Sequence, residues 1–192
     1  KVLKQLAIDL EFNLVYGVRS YDGGPPRRSS MGGLFEYIYL AGITNTWPTV
    51  VDAASAALDE TILNNCLQQI WEEGGMPNTI MLNGFNKRRV TGWATPRIRT
   101  AQSERKAGGA IDVYESDFGT FEILLNRYLR PADVVILSAD EIGIGPLTGR
   151  QFTSSQLPST GDYTWYEILG EYTMEVHKPS MSHGWIYGTA IA

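Results

Sequence analysis

His177 and His183 are the only histidines in the chain and Cys66 its only cysteine, so few residues can bind a metal or act as a base. Tetrahedral zinc takes several Cys or His ligands at short spacings. Two histidines six positions apart fit neither a helical i, i+4 pair nor a strand pair with an evident third ligand, so no metal site is expected. One cysteine forbids an internal disulfide, and a reducing compartment fits. Ser182 beside His183 offers a nucleophile and a base, but no Gly-x-Ser-x-Gly surrounds it, and a surface turn is expected. Gly143, Gly145 and Thr148 begin like a dinucleotide loop but lack its third glycine, and Pro146 removes an N–H donor that such a loop needs. A β-turn between strands is expected there. Asp117-Phe118-Gly119 copies a kinase magnesium motif without its Gly-rich loop or catalytic His-Arg-Asp, and reads as a hairpin turn.

Glu115 with Asp117, or Asp140 with Glu141, could supply the acid and base of a glycosidase, which must stand roughly 5 to 9.5 Å apart. Five Trp and ten Tyr could line a sugar-binding face, so a β-rich carbohydrate-acting or carbohydrate-binding domain is the alternative reading. Trp71, however, falls on a helical apolar stripe and most other aromatics fall in β patterns, where core packing or subunit contact is expected. The net charge of −5 and pI near 5.1 argue against gripping nucleic acid as the main work. Against that sign, Lys87, Arg88, Arg89, Arg97, Arg99, Arg105 and Lys106 fall in one run with Glu104 as its single acid. Patches of opposite sign on one chain suit head-to-tail association. The run also reads as a solvated loop face or as a stretch near nucleic acid; on the reading of subunit contact, Arg27, Arg28, Arg97, Arg99, Arg105 and Lys106 are the candidate contacts to a neighbouring subunit.

The elements that must position these groups follow from periodicity. With 192 residues, a chain buries roughly 70% of its unfolded surface, enough for a real core. No stretch approaches the ~18 apolar residues of a membrane helix, and Asp9 and Glu11 stand where a signal peptide would be apolar. A soluble, non-secreted protein is expected; the first residue, Lys1, suggests a processed chain or part of a longer one. Leu3, Leu6, Leu10 and Leu14 form one helical stripe over residues 1–17 and Ile8, Phe12 and Val15 a second, which predicts a helix packed on two sides and stopped by Gly17. Residues 18–33, rich in Gly, Pro, Arg and Ser, read as an exposed loop, and residues 34–39 as a short apolar segment of either type. Asp59 caps a helix whose buried face is Ile62, Leu63, Cys66, Leu67, Ile70 and Trp71, with Leu58 and Leu63 as a hydrophobic staple and Gly74-Gly75 as the stop. Residues 79–82 read as a strand and Asn83 as the cap of a helix through Val90. Short strands are expected over residues 111–114, 119–125, 134–137, 142–144, 163–169, 172–177 and 185–187. The class is α+β, with helices on the face of a sheet.

In order and character, QLAIDLEFNLVYG (5–17), GLFEYI (33–38), LDETILNNCLQQIWEEGGMPNTIMLN (58–83), YESDFGTFEILL (114–125), Gly161-Asp162 and GEYTMEV (170–176) resemble the major capsid proteins of one group of tailed bacteriophages. That group is similar to the Hong Kong 97-like capsid fold. The resemblance implies that residues 1–33 are the end of the spine helix and a loop of the peripheral domain. Residues 34–145 are then mainly the axial domain, and residues 146–192 a β-rich return to the peripheral domain. It implies a structural virion subunit and no enzyme, with no cofactor, assembled in the host cytoplasm. Its partners would be copies of itself in hexamers and pentamers, packaged double-stranded DNA held non-specifically, and portal, scaffolding or decoration proteins. The N-terminal arm, extended loop and early spine helix of such proteins have no counterpart here, so the chain resembles their C-terminal part. A cellular nanocompartment subunit of similar fold is a further reading.

Overall fold

A computed structural model of the chain describes residues 2–24, 28–44, 49–93, 113–158 and 161–190, with backbone only at 28 and 41–44. Helix α1 (Val2–Tyr16) ends where the Gly17 N–H donates to Asn13 O at 2.8 Å. A Cβ at residue 17 would lie 2.4 Å from that oxygen, so the stop requires glycine. Among the described residues the expected packing on two sides is not found: Val15 alone is buried on α1, while Leu3 and Phe12 are exposed. The expected loop over 18–33 folds back on itself, with β1 (Ser20–Asp22) antiparallel to β2 (Arg28–Ser30). Both strands are polar and exposed where described, so neither shows the alternation that marks a strand in sequence. The ambiguous apolar segment is helix α2 (Leu34–Thr44), which buries Leu34, Phe35 and Ile38 on one face. Strand β3 (Val50–Asp52) follows.

Helix α3 (Glu60–Glu72) starts as expected, with the Asp59 carboxylate accepting from the Glu60 N–H at 2.7 Å and both staple residues, Leu58 and Leu63, buried. It stops through Gly74, at φ +85°, and a Gly75 N–H bond to Ile70 O of 2.9 Å. Leu63, Cys66, Leu67 and Ile70 face inward, but Trp71 is 59% exposed, a correction to its expected core position. It lies one residue past Ile70, about 100° round the helix, and turns off the buried stripe. Strand β4 (Thr79–Leu82) leads to helix α4 (Gly84–Gly92), capped by Asn83. The Asn83 carbonyl accepts from the Phe85 N–H at 3.1 Å and its amide donates to Leu129 O at 2.6 Å. Asn83→Ala removes both bonds, and a loss of about 2 kcal/mol is expected, the sum of one cap and one hydrogen bond. Urea unfolding checks it: a loss under half of that would mean that the cap and the tether to Leu129 contribute little.

Strands β5 (Val113–Ser116) and β6 (Gly119–Leu125) form the expected hairpin about Asp117-Phe118, with Gly119 at φ +141°. Strand β7 (Val134–Leu137) passes through a 3-10 turn, Ala139–Glu141, into β8 (Ile142–Pro146). Most of the expected turn over 143–149 is thus strand, and only residues 147–150 turn, with Gly149 at φ +81°. Strands β9 (Thr153–Gln156), β10 (Tyr166–Leu169), β11 (Tyr172–Val176) and β12 (Gly184–Tyr187) complete the chain. Neither β3 nor β9 is marked by sequence pattern: the first is too short, and the second too polar, to carry a period.

Six strands form one mixed sheet in the order β3-β12-β7-β4-β6-β5, with β4 parallel to β6 and β3 parallel to β12. Strands β4 and β7 are buried on both faces. On one face Ile80, Leu82, Phe121, Ile123, Val134, Ile136 and Ile186 pack with α3 and with Val90 of α4. On the other, Met81, Val135 and Leu137 pack with α2, Val15 of α1 and Met174 of β11. Three two-stranded units stand outside this sheet: β1-β2, β8-β11 and β9-β10.

Candidate interaction surface

Of the six expected contact residues, Arg27, Arg97, Arg99, Arg105 and Lys106 lie outside the described residues. Arg28 begins β2, its backbone opposite Asp22. The near end of the basic run lies on α4, where Phe85, Arg88 and Arg89 line an open hollow of about 310 Å³. The Arg89 guanidinium sits 4.4 Å over the Phe85 ring, and its Nη1 donates to Ala190 O at 2.8 Å. That side chain therefore clamps the C-terminal segment to α4, a role the charge pattern did not suggest. Arg88 faces solvent.

The histidines are not where a surface turn would put them. His183 is fully buried and Ser182 nearly so. The Ser138 N–H donates to His183 Nδ1 at 3.3 Å, and Nε2 lies 3.2 Å from His177 O. Backbone groups thus occupy both ring nitrogens, and neither serves as a base toward Ser182. Burial, partly offset by the bond to His177 O and by Glu141, pushes the His183 pKa below its ordinary 6.5. His177 stays exposed, 3.3 Å from Glu175. Of the carboxylate pairs, Glu141 accepts from Lys178 Nζ at 2.8 Å, which together with Ser182 holds its pKa below 4.5, while Asp140 accepts from Asn78 at 3.3 Å. Glu115 and Asp117 are exposed at the β5-β6 hairpin. Cys66 is fully buried with its thiol 3.9 Å from Thr49 O, and burial raises its pKa to about 12, so it stays protonated and unreactive at neutral pH. Among the described residues no three His, Cys, Asp or Glu side chains are placed to hold a metal.

What the elements do position is a docking seam and an apolar exterior. From α1 across α2 to β12, the rings of Phe12, Tyr16, Phe35, Trp185 and Tyr187 stand in series with centroids 5.1, 4.8, 4.4 and 5.2 Å apart. The Tyr16 hydroxyl donates to Asp133 Oδ2 at 2.9 Å and accepts from the Arg130 N–H at 2.8 Å, while Trp185 Nε1 donates to Asp133 Oδ1 at 3.2 Å. Burial, with Asp133 beside it, drives the Tyr16 pKa well above 10, so the phenol remains a donor. This seam fixes the end of α1 on the sheet and leaves the rest of the helix outside, with Val2 and Leu3 more than half exposed. At the other extreme of the chain, Tyr163, Trp165, Tyr166 and Leu169 are exposed on and beside the β9-β10 ribbon. Among the described residues both strands of that ribbon pair only with each other. An isolated two-stranded ribbon is marginally stable in water without further cover.

The family model of the SU10 major capsid protein matches residues 1–190. No curated protein matches by sequence. Among solved structures the chain is similar to one from Mycobacterium phage Adephagia (14% identity, TM-score 0.57), covering 100% of this chain and 66% of that one. It is similar to one from Mycobacterium phage Cain (14% identity, TM-score 0.59), covering 98% and 63%. The holo-SrpI encapsulin complex from Synechococcus elongatus PCC 7942 is also similar, with 10% identity, TM-score 0.58 and coverage of 100% and 64%. The chain therefore spans just under two thirds of these neighbours' length. At such identities the likeness shows the fold, and it is the α+β, Hong Kong 97-like architecture that the segment order suggested. With its model matched over nearly every residue, the chain belongs to the SU10 major capsid protein family.

Proposed function

We propose that this chain is a structural subunit of a closed protein shell, working by fit against copies of itself and not by turnover. The observation that carries it is the exposure of large apolar side chains on segments with no core of their own, Val2, Leu3 and Phe12 on α1 and Tyr163, Trp165, Tyr166 and Leu169 at the ribbon. Large apolar side chains left in water on such segments mark faces that another molecule covers. In a closed assembly each contact can be modest, because several neighbours hold every subunit at once. The copies form hexamers and pentamers around double-stranded DNA in the virion, assembled in the host cytoplasm, with portal, scaffolding or decoration proteins as further partners. In this arrangement the six-stranded sheet with α3 and α4 is the axial domain. The spine-helix end and the two-stranded units form the peripheral domain, and residues 146–192 run through the latter before β12 rejoins the sheet. Arg27, Arg28, Arg97, Arg99, Arg105 and Lys106 meet acidic surfaces of neighbouring copies.

Electron microscopy of the protein expressed alone from its complete reading frame tests the proposal. Closed or partly closed shells are expected. Uniform monomers at high concentration, together with turnover of a glycan, would instead favour the carbohydrate-acting alternative.

A further inference from the structure

We propose that His183 is an acid-sensitive latch between the six-stranded sheet and the β8-β11 pair. The chain crosses between these two units at one place, twice: from β7 through the 3-10 turn to β8, and from β11 through residues 177–183 to β12. The two crossings are bonded to each other. The His177 N–H donates to Glu141 O at 2.9 Å, Lys178 Nζ donates to the Glu141 carboxylate at 2.8 Å, and the Ser138 N–H donates to His183 Nδ1 at 3.3 Å. The second ring nitrogen closes the turn on His177 O at 3.2 Å, and Thr49 Oγ1 holds the His183 carbonyl at 2.5 Å. Lys178 takes the left-handed backbone region at φ +45°, a strained conformation for a side chain that the surrounding bonds must hold.

The tautomer follows from these partners. A nitrogen that accepts from a backbone N–H carries no proton, so the imidazole is neutral with its hydrogen on Nε2. Adding a proton at Nδ1 sets N–H against the Ser138 N–H inside a fully buried site, and the bond between the crossings is lost. The surrounding charges do not rescue it. Glu141, from the 3-10 turn, favours a charged imidazole, with one oxygen held by Lys178, but burial of the ring outweighs it; Asp140 of that turn is taken by Asn78. His177 points out to Glu175, and the buried Cys66 of α3 stays a neutral thiol.

The sign follows. The His183 pKa is lowered on folding, so the unfolded chain, at 6.5, takes the proton first. The latch contributes fully above that value, and its contribution is lost as pH falls below 6.5 toward the native value. A partial opening of residues 138–142 and 177–183 relieves the same penalty without global unfolding.

Amide hydrogen exchange on the unassembled full chain at pH 7.5 and 5.5, corrected for intrinsic rates, tests the latch, and leaves the shell proposal to its own experiment. Protection at Ser138, His177 and Ser182 is expected to fall roughly threefold or more at the lower pH, with β4 amides, which exchange only through global opening, falling by no more than that. His183→Gln can accept from Ser138 and donate to His177 without titrating, and should abolish this response, whereas His177→Gln should retain it. Unchanged protection in the native chain, or a response that survives His183→Gln, would refute the latch. Should His183→Gln not fold, the imidazole signals of the native chain decide. Amides of the two crossings must shift with protonation of His183 Nδ1; if they follow His177 instead, the latch does not exist.

Discussion

Gly75→Val is expected to lower stability by about 3 kcal/mol or more, the upper range for forcing extra atoms into a packed site. A Cβ at this position would stand 2.0 Å from Met181 O and 2.8 Å from both Met181 C and Ile70 Cγ2. Two of those three atoms are backbone and cannot rotate aside. Nor can residue 75 withdraw, since its N–H is bonded to Ile70 O at 2.9 Å. For a chain of this size each kcal/mol moves Tm by about 2–4 °C, so a fall of roughly 10 °C is expected in thermal unfolding. Gly92, the last residue of α4, is the control: a Cβ there meets nothing within 4 Å, and Gly92→Ala should be neutral or slightly stabilising. Equal losses at the two sites would mean that the end of α3 and the turn carrying Met181 are not in close contact.

Asp133→Ala is expected to cost about 3 kcal/mol, because it strips an acceptor from two half-buried donors at once. The Tyr16 hydroxyl and Trp185 Nε1 both lose their partner, and neither has another oxygen placed to replace it among the contacts described. The effect reaches beyond the pair. Tyr16 also accepts from the Arg130 N–H and lies 4.5 Å beneath the Arg130 guanidinium, so its loss frees the end of α1 from the sheet. Urea unfolding gives the total, and protease cleavage within α1 reports the undocking. Tyr16→Phe, which keeps the ring series and removes only the hydroxyl, should cost about 1 kcal/mol. If Asp133→Ala proved no worse than Tyr16→Phe, the carboxylate would not be the joint that holds α1 in place.

The helices were readable where local chemistry marks them. Asp59, Leu58, Leu63 and the two glycines after Glu73 bracket α3 within a few residues of each other, and Asn83 does the same for the start of α4. These signals are short-range, and the structure reproduces them. In the central sheet β4, β6 and β7 were readable because they are apolar enough to stand out between turns, whereas β3 was too short to do so. Polar strands left no such trace: Ser20–Asp22 and Thr153–Gln156 exist because a partner segment completes their hydrogen bonds, and that partner is invisible in their own composition. The candidate contacts fared differently again. Charge pattern picked out a basic run, yet Arg89 within it proves to be a clamp on Ala190, because an arginine's role depends on which carbonyl it can reach.

Trp71 and His183 show where the boundary lies. Helical spacing placed the first inside and turn composition placed the second outside, and both are reversed, at 59% and 0% exposure. Periodicity tells which residues share a face of an element, since that is geometry internal to the helix or strand; it does not tell how wide a face the neighbour covers. The residues alone thus established the α+β class and the bounds of α3 and β4, and their order pointed to the family. Which apolar faces found cover and which stayed outside, where the two crossings of the chain meet at His183, and how Asp133 joins α1 to the sheet were decided by packing. Those contacts link residues as far apart as 16 and 133, and their energies depend on distances that no local spacing encodes.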